Sequence, residues 1–224
     1  MAGEAAGTHG ISRPGGSALN AGQVGSLRAA TYIAHRGNKL PEENRFLPIA
    51  QRALKWYDEE GSRVLQNPDN VQSCLEAATK RMSSHAGALR KAEDMENLLQ
   101  QTQRELETLP ETVGTGAADK LYRYYKLRDI LLTQCAVLTA MLHWCSSRGI
   151  TCGSALYYAP EGEKSEALEE RFRFVPGKAG ESIQTVQKTE NGFCAHWRSV
   201  RPIPKNEDFF ENVWRSYREN QNVY

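Results

Sequence analysis

The segment from Ala118 to Ser147 limits the possible folds more than any other stretch of the chain. Leu121, Tyr124, Tyr125, Leu127, Ile130, Leu131, Leu132, Val137, Leu138, Met141, Leu142, Trp144 and Cys145 recur too densely to form one apolar stripe. A helix that is apolar around most of its circumference has to be covered on at least two sides. The segment is therefore expected to be the central helix of an antiparallel helical bundle in a mainly α chain.

The helices that would cover it are legible upstream. Glu43 to Leu65 carries Phe46, Ile49, Ala50, Ala53, Leu54 and Tyr57 at helical spacings. Asn67-Pro68-Asp69 supplies a cap, a proline and an acid, the signature of a helix start. Val71, Cys74, Leu75, Ala78 and Met82 form the stripe of the helix that follows. The stretch from His85 to Arg90 breaks that helix. A fourth, Ala92 to Leu109, places Met95, Leu98, Leu99, Thr102, Leu106 and Leu109 on one face and Glu, Gln and Arg on the other, so it should lie outermost. Pro110 to Gly116 reads as a mobile connector.

Beyond Gly153 the pattern changes to β. Ser154 to Tyr158 and Glu170 to Val175 are short strand candidates. Ile183 to Thr189 and Phe193 to Val200 flank Glu190-Asn191-Gly192, and Asn-Gly between two strand-like runs signals a hairpin. Asp208 to Glu219 is a last amphipathic helix with Phe209, Phe210, Val213, Trp214 and Tyr217 on its apolar side. Three regions result: residues 1–40 as a loop plus helix, 41–150 as the helical bundle, and 151–224 as a β-rich tail with a C-terminal helix.

The opening region has a chemistry of its own. A glycine-rich loop with one carboxylate, one His and one Arg (Gly3-Glu4 through His9-Gly10 and Arg13 to Gly15-Gly16) leads into a helix from Ala18 to Ala34 rich in Ala, Gly and Ser. Glycines permit close backbone approach to a ligand, and a helix N-terminus offers unpaired N–H groups to a phosphate or a carbonyl-rich ring. The guanidinium of Arg13 suits a carboxylate, which it grips with two parallel hydrogen bonds.

The order Gly-Glu, His-Gly-x-x-Arg-x-Gly-Gly-x-x-Leu resembles the last segment of the FAD-binding domain in the succinate dehydrogenase/fumarate reductase flavoprotein family, which includes L-aspartate oxidase. The resemblance implies that Glu4 contacts FAD, that Arg13 binds the substrate carboxylate, and that His9 is the His of His-Gly beside it. It makes Ala18 and Leu19, after the Gly15-Gly16 pair, the backbone that touches the flavin. Pro14 and Ser17 stand where Leu and Asn are usual. A second block, Arg81-Met82 to Gly87-Ala88-Leu89-Arg90 and then Leu127-Arg128-Asp129-Ile130-Leu131 and Ser147-Arg148-Gly149, resembles the family's C-terminal helical domain, in the family's order. It sets Arg128 and Arg148 where the family faces the FAD domain.

No G-x-G-x-x-G fingerprint occurs in the sequence, so the main pyrophosphate site of a Rossmann-type domain is missing. The resemblance therefore implies the C-terminal part of an FAD-dependent oxidoreductase, inactive alone. Its partners would be the missing FAD-binding and capping domains or a companion subunit, and a small carboxylate substrate. The alternative is a non-catalytic helical interaction module.

Charge and cysteine content narrow the classes further. Lys+Arg 28 against Asp+Glu 27 leaves +1, which gives no bulk attraction to nucleic acid or an acidic membrane. No apolar run is expected to span a bilayer and no secretion signal is evident, so a cytoplasmic protein is expected. The five cysteines lack C-x-x-C spacing and read as reduced core residues, and the five His lack metal-ligand spacing.

Overall fold

The computed structural model describes residues 3–6, 15–35, 42–148, 156–157, 161–164, 166, 173–174, 182–199 and 209–220. Among them the chain is mainly helical, with one antiparallel two-stranded hairpin. It divides into two compact units, Met1–Tyr57 and Asp58–Tyr224.

The first unit holds a 3-10 turn, Gly3–Ala6, then helix α1, Gly15–His35, and the beginning of α2, Glu43–Gln66. No residue of α1 is buried. Pro48 lies within α2 and has no N–H to give to the carbonyl four residues back. Glu42 receives the amides of Arg45 and Phe46 at 2.8 and 3.1 Å.

The second unit is organised around α6, Leu121–Arg148, as the density of its apolar residues leads one to expect. The unit also holds α3, Val71–His85; α4, Ala92–Glu107; α5, Leu109–Thr112; and α7, Phe209–Asn220. One core cluster joins Val64, Val71, Ala78, Leu109, Val113, Tyr124, Leu127 and Leu131. A second joins Ala86, Met95, Leu98 and Leu138, with Met82, Leu99, Met141, Leu142 and Cys145 against it. The apolar stripe read for α4 is thus the one that is buried. Gln134 of α6 donates to the Ala78 carbonyl at 3.0 Å, tying α6 to α3, and Arg81 of α3 pairs with Glu105 of α4.

By length and composition alone, the helix Ala118–Ser147 could cross a membrane, its most apolar window reaching a mean hydropathy of 1.3. That differs from the expectation that no run would qualify. Tyr124, Leu127, Leu131 and Leu138 of this helix are buried in the two clusters, though only 22 % of the apolar window is buried in all.

The strands are short except in the hairpin. β1, Leu89–Arg90, pairs in parallel with β2, Leu156–Tyr157. β3, Glu163–Lys164, pairs antiparallel with β4, Arg173–Phe174. β5, Ser182–Thr189, and β6, Gly192–Ser199, form the hairpin in a register that opposes Gln184 to Trp197. Its loop is Glu190-Asn191, one residue earlier than the Asn-Gly pair suggests, and Gly192 opens β6 with φ +109°.

Two sequence expectations are corrected. Asn67-Pro68-Asp69 does not cap α3, which begins after Asn70, and Asn70 makes no side-chain cap bond. Nor does the stretch from Pro110 to Gly116 hang free. Asn67 Nδ2 donates to the carbonyls of Pro110 and Val113, both at 3.0 Å, and Asn70 Nδ2 donates to Thr112 O at 2.9 Å. The Gly114 amide returns a bond to Asn70 Oδ1 at 2.9 Å, and Lys120 reaches Asp69 at 2.9 Å. The polar residues that look like a cap stitch two loops together instead.

Candidate functional site

The cofactor-site residues expected from the sequence fall in the first unit. Gly3 has φ +68°, a conformation that L side chains rarely adopt, and it starts the 3-10 turn that carries Glu4. This turn lies against α1: a Cβ added to Gly22 would come within 3.9 Å of the Gly3 Cα. Glu4 is exposed. Its carboxylate thus rides on a turn seated two helical turns into α1, at ordinary van der Waals distance from a side chain built at Gly22.

Gly15 and Gly16 form the first turn of α1, and nothing lies within 4 Å of a Cβ built on either. No acidic residue in that turn opposes an anion. Ala18 is half-buried and Leu19 is 73 % exposed. Glu4, Gly15, Gly16, Ala18 and Leu19 are therefore carried by one helix and the turn packed on it. His9 and Arg13 lie outside the described residues, as does Cys152.

The second motif block has structural work in this fold. Arg81 is held by Glu105, and Arg90 Nε donates to the Gly87 carbonyl at 2.6 Å. A Cβ on Gly87 would stand 2.4 Å from Ser83 O, so glycine is required where α3 ends. Arg128 is half-buried and its charge acts on Tyr124.

The sequence reading missed a buried polar pair. Tyr124, fully buried, donates its hydroxyl to Glu60 Oε1 at 2.7 Å, and Glu60 is itself 4 % exposed. Burial pushes the phenol far above its ordinary value of 10.0, the bond to Glu60 and that carboxylate's charge push the same way, and Arg128 opposes them. An apolar-looking Tyr and a charged position 64 residues apart give no joint signal in sequence. Glu60 lies on the face of α2 that meets α6, and a periodicity reading assigns such a residue to solvent.

Burial raises the Cys135 thiol, and burial followed by the charge of Glu105 raises that of Cys74. Cys194 is exposed on the hairpin. Brief treatment with a thiol reagent should label Cys194 well before Cys74 and Cys135, as read by peptide mass spectrometry. Equal labelling rates would contradict the packing described for the part-buried Cys74 and the buried Cys135. Among the described residues, no group of three or more His, Cys, Asp or Glu could hold a metal ion.

No protein-family model, no curated protein and no solved structure matches this chain. The family resemblance therefore rests on the quoted residues and their order.

Proposed function

We propose that this chain is the C-terminal part of an FAD-dependent oxidoreductase of the succinate dehydrogenase/fumarate reductase flavoprotein type, acting on a carboxylate-bearing substrate in the cytoplasm. The observation that carries this reading is α1. A helix of 21 residues has no buried residue and leaves Leu19, Val24, Leu27 and Ile33 exposed. It directly follows the Gly-Glu, His-Gly, Arg and Gly-Gly sequence. A small-residue helix with apolar side chains in water is suited to lie against a further layer of protein. In this reading that layer is the rest of an FAD-binding domain, and the bundle around α6 is the flavoprotein's C-terminal helical domain.

The described residues suit one wall of an FAD site. Gly15 and Gly16 are unobstructed, and Glu4 is exposed on a turn resting on the same helix. FAD, when bound, supplies the hydride chemistry, and protein groups only position and tune it. The part assigned to this chain is contact by Glu4 and by the backbone at Gly15, Gly16, Ala18 and Leu19, with Arg13 orienting the substrate carboxylate and His9 beside it.

The test is flavin absorbance of the protein purified with its native partners, together with Arg13→Ala. The expected result is a flavin spectrum, and substrate turnover that Arg13→Ala lowers by a hundredfold or more, about the loss of a bidentate charge-assisted contact of roughly 3 kcal/mol. Absence of flavin, with no effect of the substitution, would refute the reading. For the isolated chain, Leu19→Glu with Leu27→Glu should reduce binding of an apolar-surface dye while leaving the unfolding midpoint unchanged.

A second reading, a non-catalytic helical interaction module, is favoured by α2, where Phe46, Ile49, Leu54 and Tyr57 share one face and are all exposed. The two separate on deletion of residues 1–20, which leaves partner binding intact in a module and prevents flavin retention in the oxidoreductase.

A further inference from the structure

The apolar face of α2 is covered at one end and bare at the other. Glu60, Gly61 and Val64, near its C-terminus, are buried. Earlier on the same face, at spacings of three and four, Phe46 and Ile49 are each 59 % exposed and Tyr57 is 48 % exposed, with Leu54 beside them at 64 %. These earlier residues all belong to the first unit.

Residues 46–57 run Phe-Leu-Pro-Ile-Ala-Gln-Arg-Ala-Leu-Lys-Trp-Tyr, and the order of apolar and other positions is the same read from either end. About a midpoint between Gln51 and Arg52, Phe46 is matched by Tyr57, Leu47 by Trp56, Ile49 by Leu54 and Ala50 by Ala53. The other positions match one another in the same way, Pro48 with Lys55 and Gln51 with Arg52. Such a face is complementary to itself when a second helix runs in the opposite direction. Aromatic side chains then meet at both ends, and the alanines beside the axis let the two backbones come close.

Charge selects the same arrangement. At about 100° per residue, Arg45 and Glu59 fall on one flank of the apolar arc, and Asn44 and Asp58 on the other. The antiparallel register brings Arg45 to within about one residue's rise, ~1.5 Å along the axis, of Glu59 in the second copy, and Asn44 equally near Asp58. A parallel pair would instead set Asp58 and Glu59 against their own copies, like charge on like charge. Arg52 meets its own copy at the axis, outside the apolar arc, and opposes the pairing there. Helix α1 of the same chain is a poorer match, since it has no acidic residue to offer Arg45.

We infer that the exposed face of α2, residues 46–57, docks a second copy of this chain, the two helices lying antiparallel about a two-fold axis between Gln51 and Arg52. The same patch serves on both copies, so the assembly closes at a dimer. A standard interface takes about 20–30 residues a side, and this face supplies fewer, so the dimer exchanges with monomer. The pairing holds under either reading of the function, because it uses α2 alone and none of the residues assigned to FAD.

The test is sedimentation equilibrium of the full chain from about 5 to about 500 µM, which spans the range of a small, exchanging interface. Wild type should show a reversible monomer–dimer equilibrium. Ile49→Glu with Leu54→Glu should weaken it by about a hundredfold or more, each substitution counting twice in a two-fold interface, with helix content unchanged because both side chains are exposed in the monomer. Arg45→Glu should weaken it by about tenfold, and adding Glu59→Arg to the same chain should restore it. Arg52→Gln, which removes the like-charge meeting at the axis, should tighten it. Leu19→Glu with Leu27→Glu, on α1, should leave it as in wild type. A chain that stays monomeric over the whole range overturns the inference, whatever else that face binds. So does a dimer that survives Ile49→Glu with Leu54→Glu, or one that the α1 substitutions abolish. If the Ile49 and Leu54 variant fails to fold, the charge exchange decides: a double variant no tighter than Arg45→Glu overturns the antiparallel pairing.

Discussion

Replacing Gly114 with alanine is expected to lower the stability of the Asp58–Tyr224 unit by about 3 kcal/mol, read as a shift of the urea midpoint with an unchanged slope. A Cβ at this position would stand 2.3 Å from Asn67 O and 2.5 Å from Pro68 O. Both obstacles are backbone, so no side chain can swing aside. Moving the loops apart would loosen the bonds that Gly114 O accepts from the amides of Asn70 and Val71, both 3.1 Å, and the bond that the Gly114 amide donates to Asn70 Oδ1. Several part-buried polar groups would lose partners at once, which is why the cost should exceed that of one hydrogen bond. The contrast is Gly25, inside α1, where nothing lies within 4 Å of an added Cβ. Gly25→Ala should stabilise that helix by about 0.5 to 1 kcal/mol through helix propensity alone. If the two substitutions had equal effects, the close approach at Gly114 would not exist in solution.

Gly114 also marks the limit of what the sequence discloses. Helices announce themselves because their apolar residues recur locally: Met95, Leu98 and Thr102 were legible as one face of α4 and are buried. The hairpin was legible for the same reason, a two-residue period interrupted by turn residues. The loop between α5 and α6 was not. Its order comes from Asn67 and Asn70, more than 40 residues upstream, and no local pattern reports a partner at that distance. Asn67-Pro68-Asp69 looks like a cap because a capping side chain and a loop-stitching side chain are the same chemical group. The candidate site divides along a similar line. Glu4 and the Gly15-Gly16 turn were found from residue order, and the structure adds the seating of the Glu4 turn over Gly22. The contact between Gln184 and His143 had no sequence signal, since the two are 41 residues apart and on elements of different period.

Tyr124→Phe is expected to cost about 1 to 3 kcal/mol at neutral pH, because Glu60 stays buried and loses the hydroxyl that donates to it at 2.7 Å. Changing both partners, Tyr124→Phe with Glu60→Leu, should recover most of that loss, since two apolar groups need no hydrogen-bond partner. A double variant as unstable as the single one would show that Glu60 is held by something other than Tyr124. The pH dependence gives an independent check. The phenol is raised in the folded state, so its contribution is fully present below the ordinary tyrosine value of about 10 and is lost as pH rises beyond it. Only the unfolded chain releases that proton, and stability should fall by about 1.4 kcal/mol for each pH unit above about 10. Cys74 and Cys135, also raised by burial, begin a decline of the same sign near their ordinary value of 9.0. Tyr124→Phe should therefore remove the steeper alkaline limb and leave the thiol-driven part, so that variant and wild type converge in stability as pH rises.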